Sequence, residues 1–225
     1  MENVKSFFES FKEFTWDIVG YLLPGAYALI LLSVCVNKEF FIHPSFGKNT
    51  KELYPFIFIS ISYLLGHLVY GIACLKEGIL GKCSYTNKIE RQISSQKAFI
   101  LSKQLISNAL NAKGITDDLS IASVRDLRSI AMSFIPQHDH KIYTFTFRSE
   151  ISNHTGNISI IVAAFGILFS FFKSIPYQVF KTDSNYCILY TCLICCYFLL
   201  RLTRNKFYEI SVGLPFSIYT ANAIK

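Results

Sequence analysis

The sequence predicts an all-α membrane protein with four helical spans and a small cytoplasmic helical segment between the second and the third. Three observations lead there. Of 225 residues, 52% are hydrophobic and only 16% charged, against about a quarter charged in a typical soluble domain. The mean hydropathy is positive. The apolar residues are also gathered into four charge-free blocks, with the charges between them. A bilayer core needs roughly 20 apolar residues in a helix, and a helix satisfies its own backbone in lipid. No alternating strand pattern competes with it.

Residues 1–16 read as an amphipathic interfacial helix, with Val4, Phe7, Phe8, Phe11 and Phe14 at helical spacing. Trp16 suits the headgroup level, and the Asp17 carboxylate suits a helix N-terminus. The first span covers 17–36, and Ile18 to Val36 is free of charge. Residues 1–17 hold three Glu, two Lys and one Asp, and no small-residue cleavage site follows. The span therefore reads as retained, not as a signal peptide. Pro24 removes a backbone hydrogen bond, and with Gly25 it marks either a packing kink or a hinge in a pore lining.

The second span is 53–75. Ser62, Gly66 and Gly71 put small residues along it, where another helix can approach closely. His67 is its one imidazole, and reads either as a neutral group bonded to a neighbouring helix or as a functional pore residue. Residues 76–154 form the cytoplasmic segment. One helix is predicted over Asn87–Ala112, stopped at Gly114. A second starts with Ser120 as N-cap, ends at Phe134 and is closed by Pro136. A third starts near Asp139 and can run without a break into the third span. The third span is 155–172, with Gly166 and Ser170 as a small-residue face. The fourth is 184–200. The tail 201–225 carries a basic start and a predicted Gly-Leu-Pro turn at 213–215.

Lys38, Lys48, Lys51, Lys173 and Lys181 are the only five of the 22 basic residues on one side of this layout. The positive-inside rule then places both termini and 76–154 in the cytoplasm, and the net charge of +7 mostly beside the anionic inner leaflet. Nucleic-acid binding is the sharper reading of that charge, and net charge alone does not establish it. Six of the seven cysteines lie within spans, and their spacing makes no disulfide framework. They read as small apolar fillers, Cys192 and Cys195 included.

Few chemical motifs stand out. Gln137-His138-Asp139-His140 offers two histidines around a carboxylate, but a structural zinc site needs four ligands, so neither a metal nor another cofactor is expected. Arg148 and His154 have the Arg-x5-His spacing of the HEPN ribonucleases, in which arginine can hold a phosphate and histidine can move a proton. An interfacial Arg and His at the mouth of the third span is the plainer reading. There is no phosphate-binding Gly-rich loop, no nucleophile elbow and no His-Glu-x-x-His. No paired carboxylates lie in the spans, which disfavours an ion-coupled transporter.

The layout, with Arg148 and His154, resembles the small membrane-bound accessory proteins beside the RNA-targeting effector of type VI-B CRISPR loci. The runs Asp17-Ile-Val-Gly-Tyr-Leu-Leu-Pro24-Gly25 and Tyr63-Leu-Leu-Gly66-His67 also look like patterns of small multi-pass proteins of antiphage loci. This resemblance implies a homo-oligomer in the bacterial inner membrane that perturbs the envelope during infection, as a pore, beside a soluble defence effector. The alternatives are a membrane-tethered ribonuclease using Arg148 and His154, and a scaffold recruiting a soluble partner.

Overall fold

The computed structural model describes residues 2–37, 39, 53–81, 84–112, 114, 122–135, 140–172 and 179–224, and of 2–17 and 140 only the backbone. The described residues form seven helices: α1 (Glu2–Cys35), α2 (Tyr54–Leu80), α3 (Tyr85–Ser94), α4 (Lys97–Ala112), α5 (Val124–Ser133), α6 (His140–Phe171) and α7 (Ser184–Ile224). Four carry stretches long and apolar enough to cross a membrane: Ile18–Cys35, Tyr54–Leu80, Lys141–Phe171 and Ser184–Ile224. The protein is thus an all-helical chain with four candidate membrane spans. It divides into two compact units, Met1–Lys76 with Glu150–Arg204, and Glu77–Ser149 with Asn205–Lys225.

The first unit is built on the apolar runs. Its core joins Ala28, Leu31 and Cys35 of α1, Val69 of α2, Ile158, Val162 and Ala163 of α6, and Tyr190 and Leu193 of α7 around Phe180. Serine and threonine hydroxyls within these helices are mostly satisfied locally. Ser159, Ser170, Thr191 and Thr203 each donate to the carbonyl one turn back, the bond that lets a hydroxyl sit in an apolar helix. Ser159 also meets the Tyr27 hydroxyl at 2.8 Å, tying α6 to α1.

The C-terminal carbonyls of α1 have no partners in their own helix. A short extended segment before α7 supplies them. The Lys181 backbone N–H donates to the Cys35 carbonyl at 2.8 Å, and the Lys181 Nζ donates to the Val34 carbonyl at 2.7 Å. Asn37 N–H donates to the Val179 carbonyl at 2.9 Å. Between these bonds Phe180 stacks on Phe165 and Phe169, and the Tyr190 hydroxyl donates to the Lys181 carbonyl at 2.7 Å.

The second unit packs Ile89, Ile93, Phe99, Ile106, Val124, Leu127 and Ala131 against Val212, Phe216 and Tyr219 of α7. Asn87–Ala112 is two helices and not the one predicted. Ser94 and Ser95 turn their hydroxyls onto the carbonyls of Arg91 and Gln92, each at 2.7 Å. That competition with the backbone ladder ends α3, and α4 starts at Lys97. Gly114 follows α4 at φ +76, in the left-handed region that suits glycine. The cap of α5 is Ser123; Ser120 lies outside the described residues.

The predicted turn at 213–215 is helix instead, and α7 continues through Pro215. Proline cannot donate to the carbonyl four residues back, which is Ser211. The Arg128 Nε of α5 donates to that carbonyl at 3.4 Å, so the freed acceptor is not left bare. Arg128 is held below the usual guanidinium range by its burial. Glu90 joins the same elements: its carboxylate pairs with Arg125 at 2.7 Å and accepts from the Tyr208 hydroxyl at 3.2 Å.

Ser123 and Asp126 form a full capping box. The Ser123 hydroxyl accepts from the Asp126 N–H, and the Asp126 carboxylate accepts from the Ser123 N–H at 3.1 Å. Ser123→Ala should therefore cost about 1 kcal/mol in urea unfolding. Hydrogen bonds from the Ser123 hydroxyl and N–H hold the Asp126 pKa below its ordinary value. A carboxylate with a lowered folded-state pKa contributes stability above its unfolded value and loses it as pH falls through the folded one. Wild type should show this acid-side loss below about pH 4, and Ser123→Ala should show less of it.

Candidate functional site

Three groups of residues in the first unit could carry function. The first is the crossing of α1 and α2. Pro24, Gly25, Ser62 and Gly66 are all buried. A Cβ on Gly25 would stand 1.6 Å from the Ser62 carbonyl oxygen, and one on Gly66 would stand 2.0 Å from the Tyr21 carbonyl oxygen. Backbone meets backbone here, which only glycine permits. The Ser62 hydroxyl is buried at this crossing with no hydrogen-bond partner.

His67 follows directly. Its ring stacks on Tyr21 with centroids 4.0 Å apart, and Tyr63 meets it edge-on at 4.6 Å. The imidazole is nonetheless exposed, as are Ser60, Gly71 and Cys74. Ser60, His67, Gly71 and Cys74 recur at helical spacing, so α2 carries a weakly polar stripe among large exposed apolar residues such as Phe56, Leu64, Leu68 and Leu75. Gly71 meets nothing within 4 Å.

The second group is the contact of α6 with α7. A Cβ on Gly166 would fall 2.3 Å from the ring of Tyr190, so this glycine makes room for a buried tyrosine. Ser170 donates to the Gly166 carbonyl and lies 4.0 Å from the Cys187 sulfur. Of the small residues singled out in the sequence, Ser62, Gly66 and Gly166 are occupied within the chain and Gly71 is open.

The third group was not visible as a set in the sequence. On α6, Asn153, His154 and Asn157 follow one another over little more than a turn. His154 is 4% exposed. Its Nε2 lies 3.3 Å from the Glu150 carboxylate, its ring is 5.7 Å from that of Tyr70, and its Nδ1 has no partner. Asn157 accepts from the Lys76 Nζ. The Asn153 Oδ1, the Asn157 Nδ2 and one Nη of Arg201 are buried without partners, and Arg204 is also buried. An Asn-x-x-x-Asn pattern beginning a span was the only signal in the sequence.

Arg148 is exposed, with its guanidinium 5.7 Å over the ring of Phe207 in the second unit. It stands six positions before His154 on α6, which sets the two about 120° apart around the helix axis. Among the described residues no three His, Cys, Asp or Glu side chains form a group that could hold a metal ion. His138 and Asp139 lie outside the described residues.

The fold and these sites define a four-span helical membrane protein. Compared with family models, with curated proteins and with solved structures, the chain matches none.

Proposed function

We propose that this chain is a subunit of a homo-oligomer in the bacterial inner membrane that forms or gates an opening, in the service of antiphage defence. The observation that carries the reading is His67. An ionisable side chain deep in a span is costly against lipid and faces a bundle interior or a water-filled path. Within one chain the His67 imidazole is exposed, flanked by Ser60, Gly71 and Cys74. A second copy laid on that stripe, at the open Gly71, would cover it. Pro24 and Gly25 lie on α1 at its crossing with α2, where a proline in the helix would permit bending. The distribution of Lys and Arg supports cytoplasmic termini, with 76–154 on the same side to receive a soluble effector. The likeness to type VI-B CRISPR accessory proteins supplies the defence setting.

Liposomes holding the purified protein should leak ions. His67→Leu should lower the flux about tenfold, the effect of roughly 1.4 kcal/mol on opening or assembly. A monomer in mild detergent with no leakage would falsify the reading. The ribonuclease alternative requires His154, now buried, to reach RNA; RNA left uncut by the same preparation removes it. Co-purification of a soluble partner with a non-leaking protein would favour the scaffold instead.

A further inference from the structure

The polar arc on α6 has the chemistry of an anion site. Most hydroxyls in these helices bond their own backbone, but two buried donors here, the Asn157 Nδ2 and one Arg201 Nη, have no partner, and neither do the His154 Nδ1 and the acceptor Asn153 Oδ1. A buried polar group without a partner is expensive, a cationic one most of all. Two such donors without a partner can serve a polar ligand.

The helix register sets the three α6 groups on one side of that helix. A Cβ on Gly156 would lie 3.5 Å from the Leu200 Cβ, so α7 faces Gly156, and Arg201 is the next residue. At 100° per residue, Asn153 lies about 60° round α6 from Gly156, Asn157 about 100° and His154 about 160°. His154 meets Tyr70 of α2. The two amides therefore occupy the arc between the α7 contact and the α2 contact, Lys76 of α2 reaches Asn157, and Arg201 is the residue next to the α7 side chain that faces Gly156. Lys76 at Asn157 brings a cation to the arc, and the Glu150 carboxylate is engaged by His154.

We propose that this arc binds the phosphate of an anionic phospholipid headgroup. The Lys76 Nζ, the Asn157 Nδ2 and the Arg201 Nη are the donors, and arginine suits phosphate oxygens geometrically. A lipid fits better than a free anion because of the level of the site. Lys76 closes the apolar run of α2, Arg201 closes that of α7, and Asn153 to Asn157 open that of α6. Basic pockets between span ends are where headgroups are held. The inference does not depend on whether the assembly conducts.

The test uses the full chain in detergent micelles with phosphatidylglycerol, phosphatidylcholine or inorganic phosphate added, read by thermal unfolding and by bound lipid in native mass spectrometry. Phosphatidylglycerol should bind and raise the unfolding temperature, and phosphatidylcholine should not. Arg201→Gln and Asn157→Leu should each weaken phosphatidylglycerol binding about tenfold or more, and Lys88→Gln, exposed on α3, should not. If Arg201→Gln fails to fold, Asn157→Leu carries the test, with Arg201→Lys keeping the charge but losing the planar fork. Equal responses to both lipids, or unchanged binding in the folded variants, would overturn the proposal. Inorganic phosphate reproducing the full shift would overturn the lipid assignment.

Discussion

Gly25→Ala should drive α1 and α2 apart and cost about 3 kcal/mol or more, at the high end of overpacking. The sign is what makes the experiment informative. In an ordinary helix glycine is worse than alanine by up to about 1 kcal/mol, so the exchange normally stabilises. Here the new methyl would stand 1.6 Å from the Ser62 carbonyl oxygen and 2.7 Å from the Gly66 nitrogen. Both are backbone atoms, and no rotamer change can move them. One helix must shift by more than an ångström over the crossing, and Tyr21 then loses its stacking on His67. Gly66→Ala should behave alike, since its methyl would meet the Tyr21 carbonyl at 2.0 Å. Gly71→Ala is the control: its surroundings are open within the chain, so it should be neutral or slightly stabilising for the monomer. Thermal unfolding in mild detergent, followed by circular dichroism, separates the cases. A Gly25→Ala protein that melts with wild type would show that the crossing is looser than these distances.

That contrast shows what a sequence can carry. Small residues at 62, 66 and 71 mark a helix side able to take a close neighbour, and the pattern is local. The occupant is not. Tyr21 and Gly25 fill the first two positions from a different helix, and nothing in the spacing distinguishes Gly71, which stays open. The spans themselves were legible because lipid imposes a rule on composition: long runs without charge. The break at Ser94 and Ser95 was legible in principle, because it rests on side chains bonding their own turn, but the apolar spacing of Asn87–Ala112 outweighed it. The helix through Pro215 was not, because the donor that covers the freed Ser211 carbonyl is Arg128, 83 residues away. The polar arc has the same character. Asn153 and Asn157 can be read as one face of a helix, whereas Lys76 joins them only once α2 is placed. Arg148 and His154 mark the opposite case: their spacing is plain in the sequence, and their surroundings, a Phe207 ring for the one and the Glu150 carboxylate for the other, are not.

Leu127→Ala should be the most damaging single truncation in the second unit, at about 4 kcal/mol within the usual 2–5 for a buried leucine. Leu127 is fully buried at the middle of α5, between Val124 and Ala131 on the same face. α5 has ten residues, too few to persist alone in water. Its stability comes from the core shared with Ile89, Ile93, Phe99 and Phe216. The unit is small, so one cavity removes a large share of what holds it. The loss also propagates by a polar route. Arg128, the next residue, covers the Ser211 carbonyl that Pro215 leaves free, and an α5 that frays withdraws that donor. Hydrogen exchange of the α3, α4 and α5 amides should accelerate accordingly, with faster exchange in α7 around Ser211 as the distinctive sign. Ile100→Ala, at a side chain 47% exposed on α4, should change exchange little. A loss below about 1 kcal/mol for Leu127→Ala, against the 2–5 expected, would mean that the unit is not organised around α5. Any soluble partner received by these helices would then have to recognise some other surface than the one α5 holds in place.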